Sequence, residues 1–428
     1  MMDRRRFLAG AGLPAAAVLF DPAGLASALE LLAQPDPRAP DDVARDEDFW
    51  NTIARAFPLD RSFVNLNHGG VSPAPAVVLD AMAQHVAFSN HAPSYTMWRI
   101  LRPRIEIVRE RLAGFCGVDA EEIALTRNAS ESLQICQFGM DLKAGDHVLT
   151  TTQDYPRMLT TFRQRVRREG IVLEEFDIPT PSEDPGEIVR MFEERITDRT
   201  KMILMCHVIN LTGQVLPVRE VVAMARRHDV PVVIDGAHAF AHLDFRIADL
   251  HCDYYATSLH KWLHAPIGTG MLYVRKERIP DLWPLMAAGE GKDEDIRKFE
   301  EVGTFPVGPM LAISEALSFH EAVGSARKFS RMVYLRDRWA MPLRQNERIR
   351  LHTSLKPGMA GGIALVEIDG IPTRELHDWL WSKHGIWTTT ISKPTFGGLR
   401  VSPSICSTLP EVDRFTEAMD HAARHGIG

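Results

Sequence analysis

A chain of 428 residues with 45% hydrophobic content is long enough for two globular domains with sizeable cores. The formal net charge of -7 is mild, and no basic run appears beyond the extreme N-terminus, which argues against a nucleic-acid partner because phosphate backbones repel an acidic chain. The five cysteines, Cys116, Cys136, Cys206, Cys252 and Cys406, are odd in number and far apart, a pattern of free buried thiols and not of a disulfide framework.

The chain begins Met-Met-Asp-Arg4-Arg5-Arg6-Phe7-Leu8 and continues as an apolar, small-residue run to Phe20. Paired arginines, a spacer and two apolar residues before such a run resemble a twin-arginine export signal. That implies a periplasmic protein and the twin-arginine export machinery as a partner; a disordered basic tail is the alternative. The run, about a dozen residues interrupted by Pro14, is too short and broken for a transmembrane span. Ala26-Ser27-Ala28 offers a small-residue cleavage site, and the Pro-, Asp- and Ala-rich stretch 31–45 reads as linker. Residues 1–46 are therefore assigned to signal and linker.

Folding resumes with a helix expected over Glu47–Phe57, from the spacing of Trp50, Ile53, Ala54 and Phe57. Asn65-Leu-Asn67-His68-Gly69-Gly70 reads as a strand running into a glycine turn. Ile105, Val108, Arg109 and Leu112 recur at helical spacing and predict a scaffold helix over 102–114. Strand-like Ile123–Thr126 then meets Arg127-Asn128-Ala129-Ser130-Glu131-Ser132, which opens a helix through Phe138. Small polar residues at a helix start offer unpaired backbone N–H groups to an anion, and the helix dipole adds to the attraction. A phosphate can rest there, although the same pattern serves as a plain N-cap.

A strand over 147–152 precedes Gln153-Asp154-Tyr155-Pro156, where an aromatic side chain can stack flat on a ring. Helix 158–168, strand 171–176, helix 187–196 and strand 201–208 follow. Such alternation implies a parallel sheet with right-handed crossovers. The last strand runs into Asn210-Leu-Thr-Gly213-Gln214-Val-Leu-Pro217, whose Asn and Gly also suit a simple turn.

The stretch from Val232 to Val274 carries the chemistry. Val-Val-Ile-Asp235-Gly-Ala-His238 is a β-branched run closed by an acid and a glycine, a buried strand ending at a site. A second run, Cys252 to Ser258, ends just before Lys261 with its neighbours His260 and Trp262, and Gly268-Thr-Gly270 leads into Met271–Val274. A carboxylate and a lysine thus stand at the ends of neighbouring strands, where ligands of α/β sheets gather. Pyridoxal phosphate chemistry requires such a pair: the amine forms a Schiff base with the cofactor aldehyde, and the acid keeps the pyridine nitrogen protonated. His238 and His242, like His260 and His264, stand four apart and could share a helical face as metal ligands. No Cys or carboxylate completes such a set, Lys261 is left unexplained by it, and no metal is expected.

Beyond the lysine, Val302-Gly303-Thr304-Phe305-Pro306 precedes a helix near Met310 and a long helical pattern over 312–350. Strand 363–368, helix 374–383, strands 386–390 and 399–402 and helix 410–424 then predict a smaller α+β domain with an antiparallel sheet. Arg400, in Gly-Gly-Leu-Arg-Val-Ser-Pro, can hold an α-carboxylate by two parallel hydrogen bonds; a strand-end surface arginine is the plainer reading.

From about Asn65 to Thr408 the chain resembles the fold-type I pyridoxal phosphate enzymes of the class V aminotransferase family, with a close likeness to isopenicillin-N-epimerase-like members. The resemblance implies an α/β fold: a large cofactor domain over 47–310 with a mainly parallel sheet of the seven-stranded type, and a small C-terminal α+β domain over 311–428. Residues 47–65 are free to pack on the small domain. It makes Lys261 the Schiff-base lysine, Asp235 the pyridinium partner, His238 a neighbour of the ring hydroxyl, and Asn210 a ligand of the ring oxygen. It places Asn128, Ala129, Ser130, Ser258 and His260 around the phosphate, with Tyr155 stacked where desulfurase relatives carry a histidine. Thr304 would reach the phosphate of a neighbouring subunit in a homodimer, and Arg400, Asn67 and His68 would meet an amino-acid-like substrate. The family's Tyr-Asn-Thr after the arginine is Cys406-Ser407-Thr408 here.

The freed lysine would remove the Cα proton, after which transamination, epimerisation or elimination can follow. Tyr155 or His68 could supply the second proton that epimerisation needs. Persulfide-forming desulfurases carry a mobile cysteine shortly before the carboxylate arginine; residues 386–399 contain none, so that activity is disfavoured while another lyase activity stays open. A protein that binds the cofactor without turnover would need neither Asp235 nor Lys261.

Overall fold

The computed structural model describes residues 21–428, so the Arg4-Arg5 pair and the apolar run to Phe20 lie outside the described residues. A seven-stranded sheet organises the larger part of the chain, in the order Ile123–Thr126, Gly270–Val274, Tyr254–Ser258, Val232–Asp235, Thr200–Cys206, His147–Thr151, Val172–Phe176. The last five strands of that order run parallel, and Gly270–Val274 is antiparallel to both of its neighbours. Strands Val232–Asp235, Tyr254–Ser258 and Gly270–Val274 are buried along their whole length, as expected of apolar runs with helices on both faces. Alternate residues feed two cores: Ile203, Met205, Val232 and Ile234 face one, and Met202, Leu204, Val233 and Ala256 the other. Parallel pairing sets Cys206 beside Asp235, and Asp235 beside Ala256, so the strand ends converge on one edge.

The smaller sheet is antiparallel throughout, in the order Thr389–Ser392, Gly397–Val401, Ala364–Ile368, Ile349–Leu351. It packs with helices Ser325–Leu343, Thr373–His384 and Leu409–His425 around Leu335, Trp339, Val366, Leu399 and Phe415. The fold is thus the α/β architecture expected of fold type I, with a smaller antiparallel domain.

Several segments differ from the sequence expectation. The helical pattern over 312–350 divides at Gly324, whose φ of 87° ends helix Ile313–Val323 before Ser325–Leu343 begins. The pattern's last residues instead form strand Ile349–Leu351. The single strand expected over 386–390 splits between sheets: Ile386–Trp387 pairs in parallel with Val64–Asn65, and Thr389–Ser392 joins the antiparallel sheet. The stretch 31–45 taken as linker, and the residues 22–30 just before it, are built into the fold. Helix Pro22–Leu32 starts on the N-cap Asp21, which accepts from Gly24 N, and Ala28 is wholly buried in the main core. Ala26-Ser27-Ala28 is therefore helical in the folded chain. Helix Pro40–Ala44 buries Val43 and Ala44, and the fully buried Arg331 donates to Ala44 O (2.9 Å) while pairing with Glu47. With only two apolar residues in one turn, that helix leaves no period to read. Helices Ala76–Ser89 and Val218–Arg227 also carried no singled-out signal.

One buried ion pair ties the phosphate-side strand to the segment that leads to Thr304. Arg109 donates to Glu300 (2.6 Å) and to Ile123 O, and Glu300 accepts from Leu125 N (2.7 Å).

Candidate active site

The converging strand ends line a cavity of about 620 Å³. Asp235, at the end of its strand, is buried, and Oδ1 accepts from Ala237 N (2.9 Å). Gly236 is required next to it, because a Cβ there would lie 2.0 Å from the Tyr255 ring. Burial pushes the Asp235 carboxyl up to about 6, opposed by its bond from Ala237 N–H and by the charge of Lys261. Burial also pushes the Lys261 ammonium down to about 8. Lys261 Nζ lies 3.0 Å from His238 Nε2. Burial holds His238 well below the usual histidine range, so the ring is neutral, and its Nδ1 is buried without a hydrogen-bond partner among the described residues.

The opposite wall is the start of helix Ala129–Gly139. Asn128 is its N-cap, accepting at Oδ1 from Glu131 N (2.9 Å), and Ala129 N donates to Ser258 Oγ (2.9 Å). The side chain of Asn128 is thus spent on the cap, the plainer of the two sequence readings. Ser130 and Ser258 line the cavity with hydroxyls to offer an anion. His260 donates from Nδ1 to Thr269 O (3.0 Å), which points its tautomer's lone pair at Nε2, and burial lowers its basicity. Gly270 makes this wall possible: a Cβ on it would stand 2.6 Å from the Asn128 backbone.

Tyr155 lines the same cavity at the start of helix Pro156–Glu169. Beneath it Asp154 is buried. Its Oδ2 accepts from Thr150 Oγ, Thr151 N and Thr151 Oγ, and burial raises its pKa above the ordinary carboxylate range. Asn210 also lines the cavity, with Oδ1 buried and unpartnered among the described residues. Arg400 is buried, donating from one terminal nitrogen to Asn210 O (3.0 Å) and from the other to Asn67 Oδ1 (2.8 Å), and burial lowers it to about 10.

Four expected site residues lie outside the cavity lining: Arg400 and Asn67, joined by their hydrogen bond and tied to the cavity wall at Asn210 O, and His68 and Thr304. His68 is 2% exposed and turned against Cys406, with Nε2 3.9 Å from Sγ, outside the cavity lining. The reason is strand alternation: Asn67 bridges to Ser402, so Asn67 and His68 face opposite sides, and only Asn67 reaches Arg400. Thr304 is exposed and does not line this cavity. The histidines weighed as metal ligands are otherwise engaged: His242 donates from Nδ1 to His238 O (2.8 Å) and accepts from Gly362 N (2.8 Å), and His264 meets Pro73 O and Ser404 Oγ.

Sequence reasoning missed Cys206, Arg157 and Leu285 in the lining. Cys206 is the cross-strand neighbour of Asp235, a fact that only the pairing reveals. Arg157 stands two residues past Tyr155, on the same turn, and could have been read from that spacing. Leu285 belongs to a stretch without a motif. All five cysteines are buried, and burial raises each thiol, Cys406 and Cys252 to about 12.

The residues fit pyridoxal phosphate. Asp235 is a buried acid with room for a cationic N–H partner, Lys261 is a depressed amine facing it, and the unpartnered Asn210 and His238 atoms await polar contacts. Fold and site together define a pyridoxal phosphate enzyme of fold type I. The aminotransferase class-V family model matches residues 64–415, and the chain belongs to that family. It is similar to the isopenicillin N epimerases of Amycolatopsis lactamdurans (30% identity, 88% of this chain and 99% of the relative) and Streptomyces clavuligerus (28%, 87% and 98%). In fold it is similar to the cysteine desulfurase of Thermococcus onnurineus NA1, with a TM-score of 0.76 at 22% identity, covering 91% of this chain and 100% of that one.

Proposed function

We propose that the protein epimerises the Cα of an amine-bearing carboxylate, with Lys261 and Tyr155 as its two proton carriers. The observation that carries this reading is the cavity lining: of the two candidates for a second proton carrier, Tyr155 is in it and His68 is not. Isopenicillin N epimerases similar over nearly their whole length support it. Pyridoxal phosphate, when bound, takes up the electron pair left at the substrate Cα. Asp235 holds the charge of the pyridine nitrogen, and Ser130 and Ser258 hold the phosphate by their hydroxyls, with His260 donating to it from Nε2 once that atom is protonated and Asn128 and Ala129 fixing the turn. Asn210 and His238 meet the ring oxygen. Lys261, pushed down to about 8, is a base poised near neutral pH that takes the Cα proton. Tyr155 returns a proton to the other side, and Arg400, steadied by Asn67, grips the carboxylate.

Persulfide chemistry is the less favoured reading, because every thiol is buried and none is depressed toward a thiolate. Homodimerisation, with Thr304 reaching across to a partner's phosphate, and twin-arginine export belong to the same proposal. The test incubates holoenzyme with candidate amino acids in deuterium oxide. Epimerisation gives Cα deuterium with inversion and no keto acid. Exchange with stoichiometric keto acid would make the protein a transaminase, and substrate-dependent spectral change without exchange would rule out Cα deprotonation.

A further inference from the structure

Lys261 lies in a tight turn. Leu259 N donates to Thr269 O (3.0 Å), Ala265 N to Leu259 O (3.1 Å) and His264 N to Lys261 O (3.2 Å). His264 closes the turn at a φ of 61°, a region that side chains other than glycine rarely adopt, so the turn has to be held from outside. The carbonyl of Trp262 receives none of these N–H groups. It is taken by the side chain of Lys328, whose Nζ donates to Trp262 O.

Lys328 is an unusual donor. It comes from helix Ser325–Leu343, is 1% exposed, and has no carboxylate within ion-pair distance among the described residues. Its other neighbour is His320 Nδ1 at 3.4 Å, and that ring is engaged at Nε2 with Ser325 Oγ (3.1 Å). Desolvating an amine with no counter-ion is costly, and burial pushes Lys328 down to about 7. A residue kept only for packing would be cheaper as an apolar side chain. The Trp262 ring shows what the donation holds in place: it lies 4.3 Å from the His242 ring and 6.4 Å from the His238 ring, and His238 is the partner of Lys261 Nζ.

We propose that Lys328 is a positioning residue for Lys261, fixing Trp262 and through it the turn and the His238 contact that aim the reactive amine into the cavity. The proposal rests on the reading of Lys261 as the amine that takes up pyridoxal phosphate. It adds a small-domain residue that acts on the chemistry without touching cofactor or substrate.

The test measures the rate at which pyridoxal phosphate adds to Lys261 in cofactor-free protein, by visible absorbance with borohydride trapping and peptide mapping, after a thermal melt has verified folding. Lys328→Met, which keeps the stem and loses the donor, is expected to add cofactor about tenfold more slowly, with the pH midpoint of addition moved up as the amine leaves its buried seat. Lys328→Gln, a neutral donor, is expected to restore the rate to within roughly threefold of wild type. A folded Lys328→Met with the wild-type rate and pH profile overturns the proposal. So does Lys328→Gln as slow as Lys328→Met, and so does failure of both variants to fold, which would make the lysine a stability element. If Lys328→Met alone fails to fold, the lysine is a stability element and the proposal falls, whatever the rate of Lys328→Gln. Wild type that leaves Lys261 unlabelled would refute the cofactor assignment itself, a result separable from any of these.

Discussion

Asp235 shows how function is set against stability at one residue. Its carboxyl titrates at an ordinary 3.8 in an unfolded chain and at about 6 when buried. Between those values the folded protein holds a proton that the unfolded chain has released. The contribution to stability is full below pH 3.8 and is lost as pH rises through about 6, on the order of 3 kcal/mol in all. Cofactor-free Asp235→Asn should therefore exceed wild type in stability above pH 6 and match it below pH 4, while binding cofactor more weakly; urea unfolding across that range checks it, and a pH-independent difference would refute it. Asp235 and Lys261 were legible in the sequence because each closes or follows an apolar run, and strand ends of this kind gather ligands. His68 was misplaced because its motif gives proximity in sequence and not the side of the strand it faces. Cys206 was invisible because its place beside Asp235 depends on a parallel pairing across a crossover.

Among elements, the strands were the most legible: Ile123–Thr126 and Val232–Asp235 stand where their apolar runs begin and end. The least legible were those whose identity depends on a distant partner, such as Ile386–Trp387, which pairs with Val64–Asn65 and not with the strand it adjoins. Packing of elements also gives a sharp test at the phosphate wall. Gly270→Ala forces a Cβ against the Asn128 backbone, so cofactor affinity should fall by more than about tenfold with a stability loss of about 1–3 kcal/mol. Gly289, with nothing within 4 Å of a built Cβ, is the matched control, and its alanine variant should behave as wild type in melting and cofactor titration. Equal behaviour of the two variants would mean that the wall tolerates a shift its geometry forbids.

The whole molecule leaves two expectations to experiment. Thr304 is exposed beside an apolar groove of about 230 Å³ lined by Ile105, Phe305 and Met310, next to Ile267, which is 75% exposed. Homodimerisation, with Thr304 proposed to reach a partner's phosphate, is the expectation under test. Light scattering should give a dimer, and Thr304→Ala should weaken cofactor binding without dissociating it; a fully active monomer would contradict that role. For export, Arg4→Lys with Arg5→Lys should retain the protein in the cytoplasm on cell fractionation, and unchanged export would exclude the twin-arginine route. The account as a whole depends on one amine. Holoprotein reduced with borohydride and digested should carry the pyridoxyl label on the Lys261 peptide alone, and Lys261→Ala should carry none. A label on any other lysine would contradict the site.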